Sequence, residues 1–265
     1  MDQHAVLAAF DEQIRRRPEL DGPETRVERE DGVVRLISSG HGWSGVTWSD
    51  LEPASADAVI AAQVSRFAQL SRPWEWKYYS SDQPPDLPAR LIAAGLRPEP
   101  IEALLVAEIS ELPLDVPPPP GVQLLPVVDE RGVEMLVRVW HEAFGGDHPG
   151  FSATWLTRLA QHPDAGAAVV AVAAGQTPIA GGRMEFHHGT DFASLWGGGT
   201  VPAWRSRGVF RSLVAHRAAL AAARGFRYLQ VDASSDSRPI LRRLGFVELA
   251  TTTPFTHPVA GGRSG

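Results

Sequence analysis

Cysteine is absent from the 265-residue sequence. Its absence excludes disulfide staples, thiolate nucleophiles and Cys-based zinc sites, so any metal would need His and carboxylate ligands. Long apolar runs are missing as well: none reaches the roughly 18 residues that a membrane-spanning helix requires. Residues 1–20 are charged and carry no apolar stretch of the kind that opens a secretion signal. The expectation is a soluble, cytoplasmic chain with no membrane partner. A third absence is local. No acidic residue lies between Asp191 and Asp232, an interval that holds Arg205, Arg207, Arg211, Arg217, Arg224 and Arg227.

What is present is ample material for a core: 43% of the residues are hydrophobic, with eight Trp and ten Phe, which rules out general disorder. The net charge of −6 is unevenly shared. Residues 1–120 carry eleven basic against twenty acidic side chains, and residues 121–265 carry fourteen against eleven. The arginine-rich interval reads either as a solvated helix face or as a site for a small polyanion. A nucleic-acid partner is not expected, because the whole chain is acidic and one arginine-bearing helix gives only a short footprint.

Four consecutive prolines, Pro117 to Pro120, cannot continue a helix or a sheet interior and divide the sequence into domains 1–118 and 119–265. In the second domain, periodicity predicts a strand at 122–126, helices over 129–144 and 152–161, and strands over 167–173, 179–186 and 192–200. A helix over 209–224, a strand at 228–233, a short helix over 238–244 and extended residues to 255 complete it. The first half predicts strands at 33–38 and 45–48, a helix over 55–70, a strand at 74–79, a helix over 87–94 and a strand at 103–109. Its text also recurs. Ser80-Ser81-Asp82 matches Ser234-Ser235-Asp236, and Leu91-Ile92-Ala93-Ala94-Gly95-Leu96 matches Leu241-Arg242-Arg243-Leu244-Gly245-Phe246. Two matches nearly in register, inside the same strand–helix–strand order, point to a duplicated domain.

Ahead of the long second-half helix stands Thr200-Val201-Pro202-Ala203-Trp204-Arg205-Ser206-Arg207-Gly208-Val209-Phe210-Arg211. A glycine-containing turn that leaves a strand and enters a helix aims unpaired N–H groups and the positive end of the helix dipole at one point, which suits a phosphate. Gly208 allows close approach of an anion, and Arg205, Arg207 and Arg211 can add charge-assisted contacts. A plain strand–helix connection has the same elements.

The arrangement resembles the GCN5-related N-acetyltransferase superfamily, whose signature is Gln/Arg-x-x-Gly-x-Gly/Ala opening a helix, followed by a strand, a short helix and Gly-Phe. Arg205, Gly208 and Phe210 meet the first pattern, with Phe replacing the small residue, and Gly245-Phe246 meets the last. The resemblance covers about 121–256 as a complete domain and the first half as a partial one. It implies an α+β fold with a mixed sheet: two tandem domains, each a mostly antiparallel sheet flanked by helices, with a β-strand splay for acyl-CoA in the second. It also implies acetyl-CoA as co-substrate. The turn residues Arg205, Arg207, Gly208, Val209, Phe210 and Arg211 would hold the pyrophosphate; Gly199 and Val201 would pair with pantetheine, with Thr200 also in contact. In the first half Asp50 and Glu52 occupy the corresponding link and would repel a pyrophosphate, so that half reads as a degenerate copy.

The activity implied is an acetyl-CoA-dependent N-acetyltransferase that moves acetyl to a primary amine of a small molecule by direct attack in a ternary complex. The alternative is a non-catalytic acyl-CoA-binding or scaffolding module. Transfer needs a base for the amine and an acid for the departing thiolate. Glu185, the only carboxylate between Asp164 and Asp191, is the first candidate base, and Asp232 the second. The family's Tyr in the last short helix falls at Leu241, so the acid is open. Ser234 stands where the family often has an Asn that contacts cofactor or water. His187 and His188 read as exposed turn residues, and their spacing with Asp191 is not that of a metal site. Phe144, Asp147 and His148, after the first helix, and Trp196, before three glycines, are the candidate acceptor-site residues. A glycine run in a strand suits the close approach of a ligand or backbone. A monomer or homodimer is expected.

Overall fold

The computed structural model describes residues 1–20, 25–38, 42–70, 73–147 and 150–257. Helix α1 (Gln3–Phe10) is followed by β1 (Thr25–Glu30), β2 (Val33–Ser38), β3 (Gly45–Ser49), α2 (Ala56–Ala68) and β4 (Trp74–Tyr79). Then come α3 (Leu87–Ala93), β5 (Arg97–Pro98), β6 (Glu102–Glu108), β7 (Gln123–Pro126), α4 (Glu130–Phe144) and α5 (Phe151–Gln161). Next are β8 (Gly166–Ala173), β9 (Thr177–Phe186), β10 (Phe192–Thr200) and α6 (Val209–Ala222). The chain closes with β11 (Tyr228–Ala233), α7 (Arg238–Arg243) and β12 (Val247–His257). Every expected element occurs, with ends displaced by two residues or fewer. The sequence reading missed α1, β1 and β5. Strand β1 reads Thr-Arg-Val-Glu-Arg-Glu, and its charges hide the strand alternation because they are spent on ion pairs of Glu28 with Arg26, Arg35 and Arg66.

The fold is α+β with mixed sheets, and the chain forms two compact units. One comprises residues 1–104, 232–239 and 248–265; the other comprises 105–231 and 240–247. The prolines mark where the repeated sequence halves join, but the compact units do not divide there, because each half contributes its closing strand to the other unit. In the first unit β1, β2 and β3 are antiparallel, β3 is parallel to β4, and β12 from the end of the chain is antiparallel to β4. Its core gathers Phe67, Trp76, Leu87, Leu91 and Leu96, with Phe255 from β12. Helix α2 contributes Val59, Ile60, Gln63 and Phe67, one stripe at helical spacing.

In the second unit β7, β8, β9 and β10 form an antiparallel meander, and β11 lies parallel to β10 with residues 105–108 of β6 on its far side. One face is covered by α4 through Val133, Leu136, Val139 and Trp140, joined by Trp155 of α5. Val209 and Leu213 of α6 pack with Ile179 and Val201 in another cluster.

The textual repeat is also a structural one. Gly95 N–H reaches the Ile92 carbonyl and Leu96 N–H the Leu91 carbonyl; Gly245 and Phe246 make the same pair of bonds to Arg242 and Leu241. Leu91, Leu96, Leu241 and Phe246 are all buried, so the repeated letters are a helix stop whose flanking side chains enter a core. Among the described residues no helix is long and apolar enough to cross a membrane.

Candidate active site

Strands β10 and β11 run in parallel register through Phe192 with Tyr228, Ala193 with Leu229 and Ser194 with Gln230, and the register ends there. Beyond it β10 continues along β9 alone, with a bulge between Trp196 and Gly199. The edge of β10 that faced β11 is thereby released over its last residues, which is the splay expected from the sequence.

At the end of β10 a single 3₁₀ turn, Pro202–Trp204, leads to Ser206 at φ 61°, Gly208 at φ 84° and then α6. The Gly208 backbone lies in the left-handed region that only glycine enters without strain, and a Cβ there would meet nothing nearer than the Pro119 Cγ at 4.0 Å. The N–H groups of Trp204 and Arg205 close onto the Val201 and Pro202 carbonyls, but those of Ser206, Arg207, Gly208, Val209, Phe210 and Arg211 meet no protein acceptor. Six consecutive free donors at the positive end of a 14-residue helix are an arrangement that could hold an anion.

The arginines divide the work. Arg205 donates to the Thr200 carbonyl at 3.2 Å and to the Ala143 carbonyl at 3.1 Å, which braces the turn against the ends of β10 and α4. Arg207 lies over the Trp204 ring at 5.0 Å and Arg211 is exposed, and neither is paired with a carboxylate among the described residues. Val209 is buried in the core and Phe210 is half-buried.

The pantetheine assignment needs correcting. Val201 donates its N–H to the Ile179 carbonyl at 2.9 Å and accepts from Trp204 N–H at 2.9 Å, so its main chain is fully engaged. Alternation along an antiparallel strand turns Gly199 toward β9 as well, which leaves Thr200 facing the released edge. The Thr200 hydroxyl is buried and has no hydrogen-bond partner. The glycine run is explained by packing. A Cβ on Gly197 would stand 2.8 Å from the Trp140 ring, one on Gly199 2.6 Å from Phe144, and one on Gly198 3.2 Å from both Phe210 and Arg217. Side chains from α4 and α6, not a ligand, occupy that space. Arg217 is fully buried and donates to the Leu213 and Arg183 carbonyls; burial alone lowers its guanidinium to about 10.

Glu185 is not placed as a free base. It is ion-paired with Arg183 and with Arg158 of α5, the latter at 3.2 Å. Burial raises its carboxyl, but Arg183 first and Arg158 second outweigh that, and it titrates below the usual range. A base so stabilised in its ionised form has little drive to take a proton. Asp232 and Ser234 belong to the first unit. There Asp232 is paired with Lys77 at 3.2 Å and accepts from the Tyr79 hydroxyl at 3.4 Å. Burial opposes the Lys77 charge, yet its negative neighbours, Asp232 foremost, hold its ammonium above the ordinary lysine range. Ser234 accepts from Arg238 N–H at 2.9 Å and meets the Ser237 hydroxyl at 3.3 Å, so it opens α7.

Of the acceptor-site candidates, Phe144 ends α4 against Gly199 and is exposed. Asp147 lines a cleft of about 360 Å³ with Glu134, Arg138, His141 and Ser152. His148 lies outside the described residues. The Trp196 ring carries Arg183 at 5.4 Å, which ties it to the Glu185 cluster. The sequence reading undervalued one pair: His187 Nε2 lies 2.7 Å from the Ser194 hydroxyl, and Ser194 is buried. The usable signal was the alternation Arg183, Glu185, His187 along one strand face.

The equivalent link in the first unit is partly closed. Asp50 N–H is taken by the Gly32 carbonyl, Leu51 N–H by Gln83, and Ser55 and Ala56 N–H by Glu52.

No protein-family profile and no curated protein matches the sequence. Solved structures do. A GCN5-related N-acetyltransferase from Kribbella flavida is 19% identical and superposes with a TM-score of 0.71 over 98% of this chain and 96% of that one. This is the GCN5-related N-acetyltransferase fold. A second protein of that description, from Sphaerobacter thermophilus, is 15% identical with a TM-score of 0.62, covering 89% and 83% of the two chains. A tandem GNAT protein from the clavulanic acid biosynthesis pathway is 14% identical with a TM-score of 0.56, covering 98% and 95%. The acetyltransferase fold therefore extends over both sequence halves.

Proposed function

We propose that this chain is an acetyl-CoA-dependent N-acetyltransferase that moves an acetyl group to the primary amine of a small molecule by direct attack in a ternary complex, with its site in the second unit. The row of free amides from Ser206 to Arg211 carries the reading. On this fold it stands at the end of a splayed strand, where a diphosphate would be gripped while the acyl arm lies along β10. Thr200, whose carbonyl is held by Arg205, would meet that arm through its main-chain N–H. Acetyl-CoA would supply the activated acyl group. The chain supplies the anion grip, the strand edge and a cleft in which two carboxylates, Glu134 and Asp147, outnumber the one guanidinium, Arg138, a balance that favours a cationic amine. Leu241, where the resembling family has a Tyr, is buried and carries no proton, so protonation of the departing thiol falls to another group or to solvent.

The test is calorimetric titration of acetyl-CoA into wild type and into the double variant Arg207→Glu, Gly208→Asp, with thiol release followed over a panel of primary amines. Loss of binding in the double variant and amine-dependent thiol release by wild type are expected. Unchanged affinity in the double variant would remove the reading. Binding without release toward any amine would leave a carrier of acyl-CoA in place of an enzyme.

A further inference from the structure

We propose that Ser194 and His187 form the proton relay of this site, with the Ser194 hydroxyl meeting the attacking amine and His187 passing its proton to solvent; this rests on the acetyltransferase reading above. Ser194 belongs to the last pair that joins β10 to β11, so it marks the root of the splay. On β10 it stands opposite Glu185, and directly opposed residues of antiparallel strands share a face. That face is the one Arg158 of α5 reaches, because Arg158 is bonded to Glu185. The hydroxyl is therefore buried at the depth where β10 and β11 part, on the side covered by α5.

His187 completes a path outward. Its Nε2 lies 2.7 Å from the Ser194 hydroxyl, and the ring is half-buried where Ser194 is only 1% exposed. The hairpin that carries it is tied down: Thr190 Oγ1 donates to the His187 carbonyl at 2.7 Å and accepts from Phe192 N–H at 3.1 Å. Near the pair stand Glu185 and Arg183 on β9 and Arg158 on α5; His188, the next residue, is instead exposed and bonded to the Asp164 carbonyl. Glu185 interacts electrostatically with His187, but two arginines already hold its carboxylate, so it stands beside the pair without being the base. A serine–histidine pair in hydrogen-bond contact is a competent acid–base unit.

The step balances without any other reagent. The amine nitrogen forms a bond to the acyl carbon and the carbon–sulfur bond breaks, its electron pair leaving with sulfur. The amine proton passes to Ser194 Oγ as the Ser194 proton moves to His187 Nε2. The imidazolium then releases that proton to water or returns it to the thiolate.

The experiment compares wild type with Ser194→Ala and His187→Gln, using acetyl-CoA alone and acetyl-CoA with spermidine, tobramycin, L-lysine and an alanyl peptide as acceptors. Acetyl-CoA affinity is expected to stay unchanged in both variants, while kcat falls by roughly 10²-fold, the usual reach of one general base. The limb of the pH–rate profile on which activity rises should be lost in His187→Gln, and added imidazole should restore part of the rate. A readout independent of turnover is the imidazole nitrogen NMR signal of His187, which acetyl-CoA should shift in wild type and not in Ser194→Ala. Unaltered kcat and pH profile in both variants overturn the relay, as does an acetyl-CoA complex in which the His187 signal does not move. An acetyl group trapped on Ser194 overturns it too, since the residue would then be a nucleophile. Failure of wild type to bind acetyl-CoA is a different result, because it removes the acetyltransferase reading on which the relay stands.

Discussion

In the first unit the Arg15 guanidinium donates to the Thr47 carbonyl at 3.0 Å, one residue past the last pair that joins β3 to β4. The same side chain bonds Asp11 and Asp82, each at 2.8 Å, and Thr47 Oγ1 donates back to the Arg15 carbonyl at 2.8 Å. Arg15 is 3% exposed. Where the second unit releases a strand edge, the first fills the corresponding edge with its own arginine. One acetyl-CoA should therefore bind per chain, and a calorimetric stoichiometry of two would contradict this. Arg15→Met should leave Asp82 buried without its counter-charge and lower stability by roughly 3–5 kcal/mol, read from urea unfolding, with the stoichiometry unaltered.

The three turn arginines should separate by phenotype. Arg205 holds two carbonyls of the protein near the surface, so Arg205→Ala should lower stability by about 1 kcal/mol through the lost hydrogen bonds. Arg207→Ala and Arg211→Ala should leave unfolding unchanged and weaken acetyl-CoA binding, with a reduced dependence of affinity on salt. Thermal melts and titrations at two ionic strengths distinguish the patterns. Equal effects of all three on affinity alone would show that Arg205 is not a brace.

Gly197 combines a φ of 56° with a Trp140 ring 2.8 Å from where a Cβ would stand, and Trp140 Nε1 donates to its carbonyl at 2.6 Å. Gly197→Ala should cost roughly 2–4 kcal/mol from backbone strain and overpacking together. Gly146, whose added Cβ would meet nothing, also has a positive φ and should show the strain alone. A denaturation midpoint for Gly197→Ala no lower than for Gly146→Ala would refute the packing account.

Acid should weaken the first unit through Glu28. Its hydrogen bond from Arg66 acts most strongly; burial works against that, but Arg26 and Arg35 add to it, and the carboxyl falls to about 2. A depressed carboxyl pKa contributes stability that is fully present above the unfolded value, near 4.5, and is lost as pH falls toward 2. The contribution is at most about 3 kcal/mol. Urea midpoints of wild type should drop across that interval, and Glu28→Gln should be less stable at neutral pH with a flatter acid limb. A parallel decline in both proteins would exclude Glu28 as the source.

The long elements and the glycine turn that opens α6 were legible because their signals are local. Helix α4 shows its stripe within fifteen residues, and Gly208 followed by an apolar helix is readable in four letters. The Leu91 and Leu241 helix stops were visible as repeated text for the same reason. Tertiary structure decided what depends on partners far along the chain. It sent residues 248–257 to β4, filled the β3 edge with Arg15 from 32 residues away, and surrounded Glu185 with two arginines that make it a fixed charge. The glycines of β10 read as room for a ligand until Trp140, Phe144 and Arg217 were seen to take that room. Sequence spacing records what a residue can do within a turn or a strand, while the charge state and access of a buried group are set by whichever side chains folding brings against it.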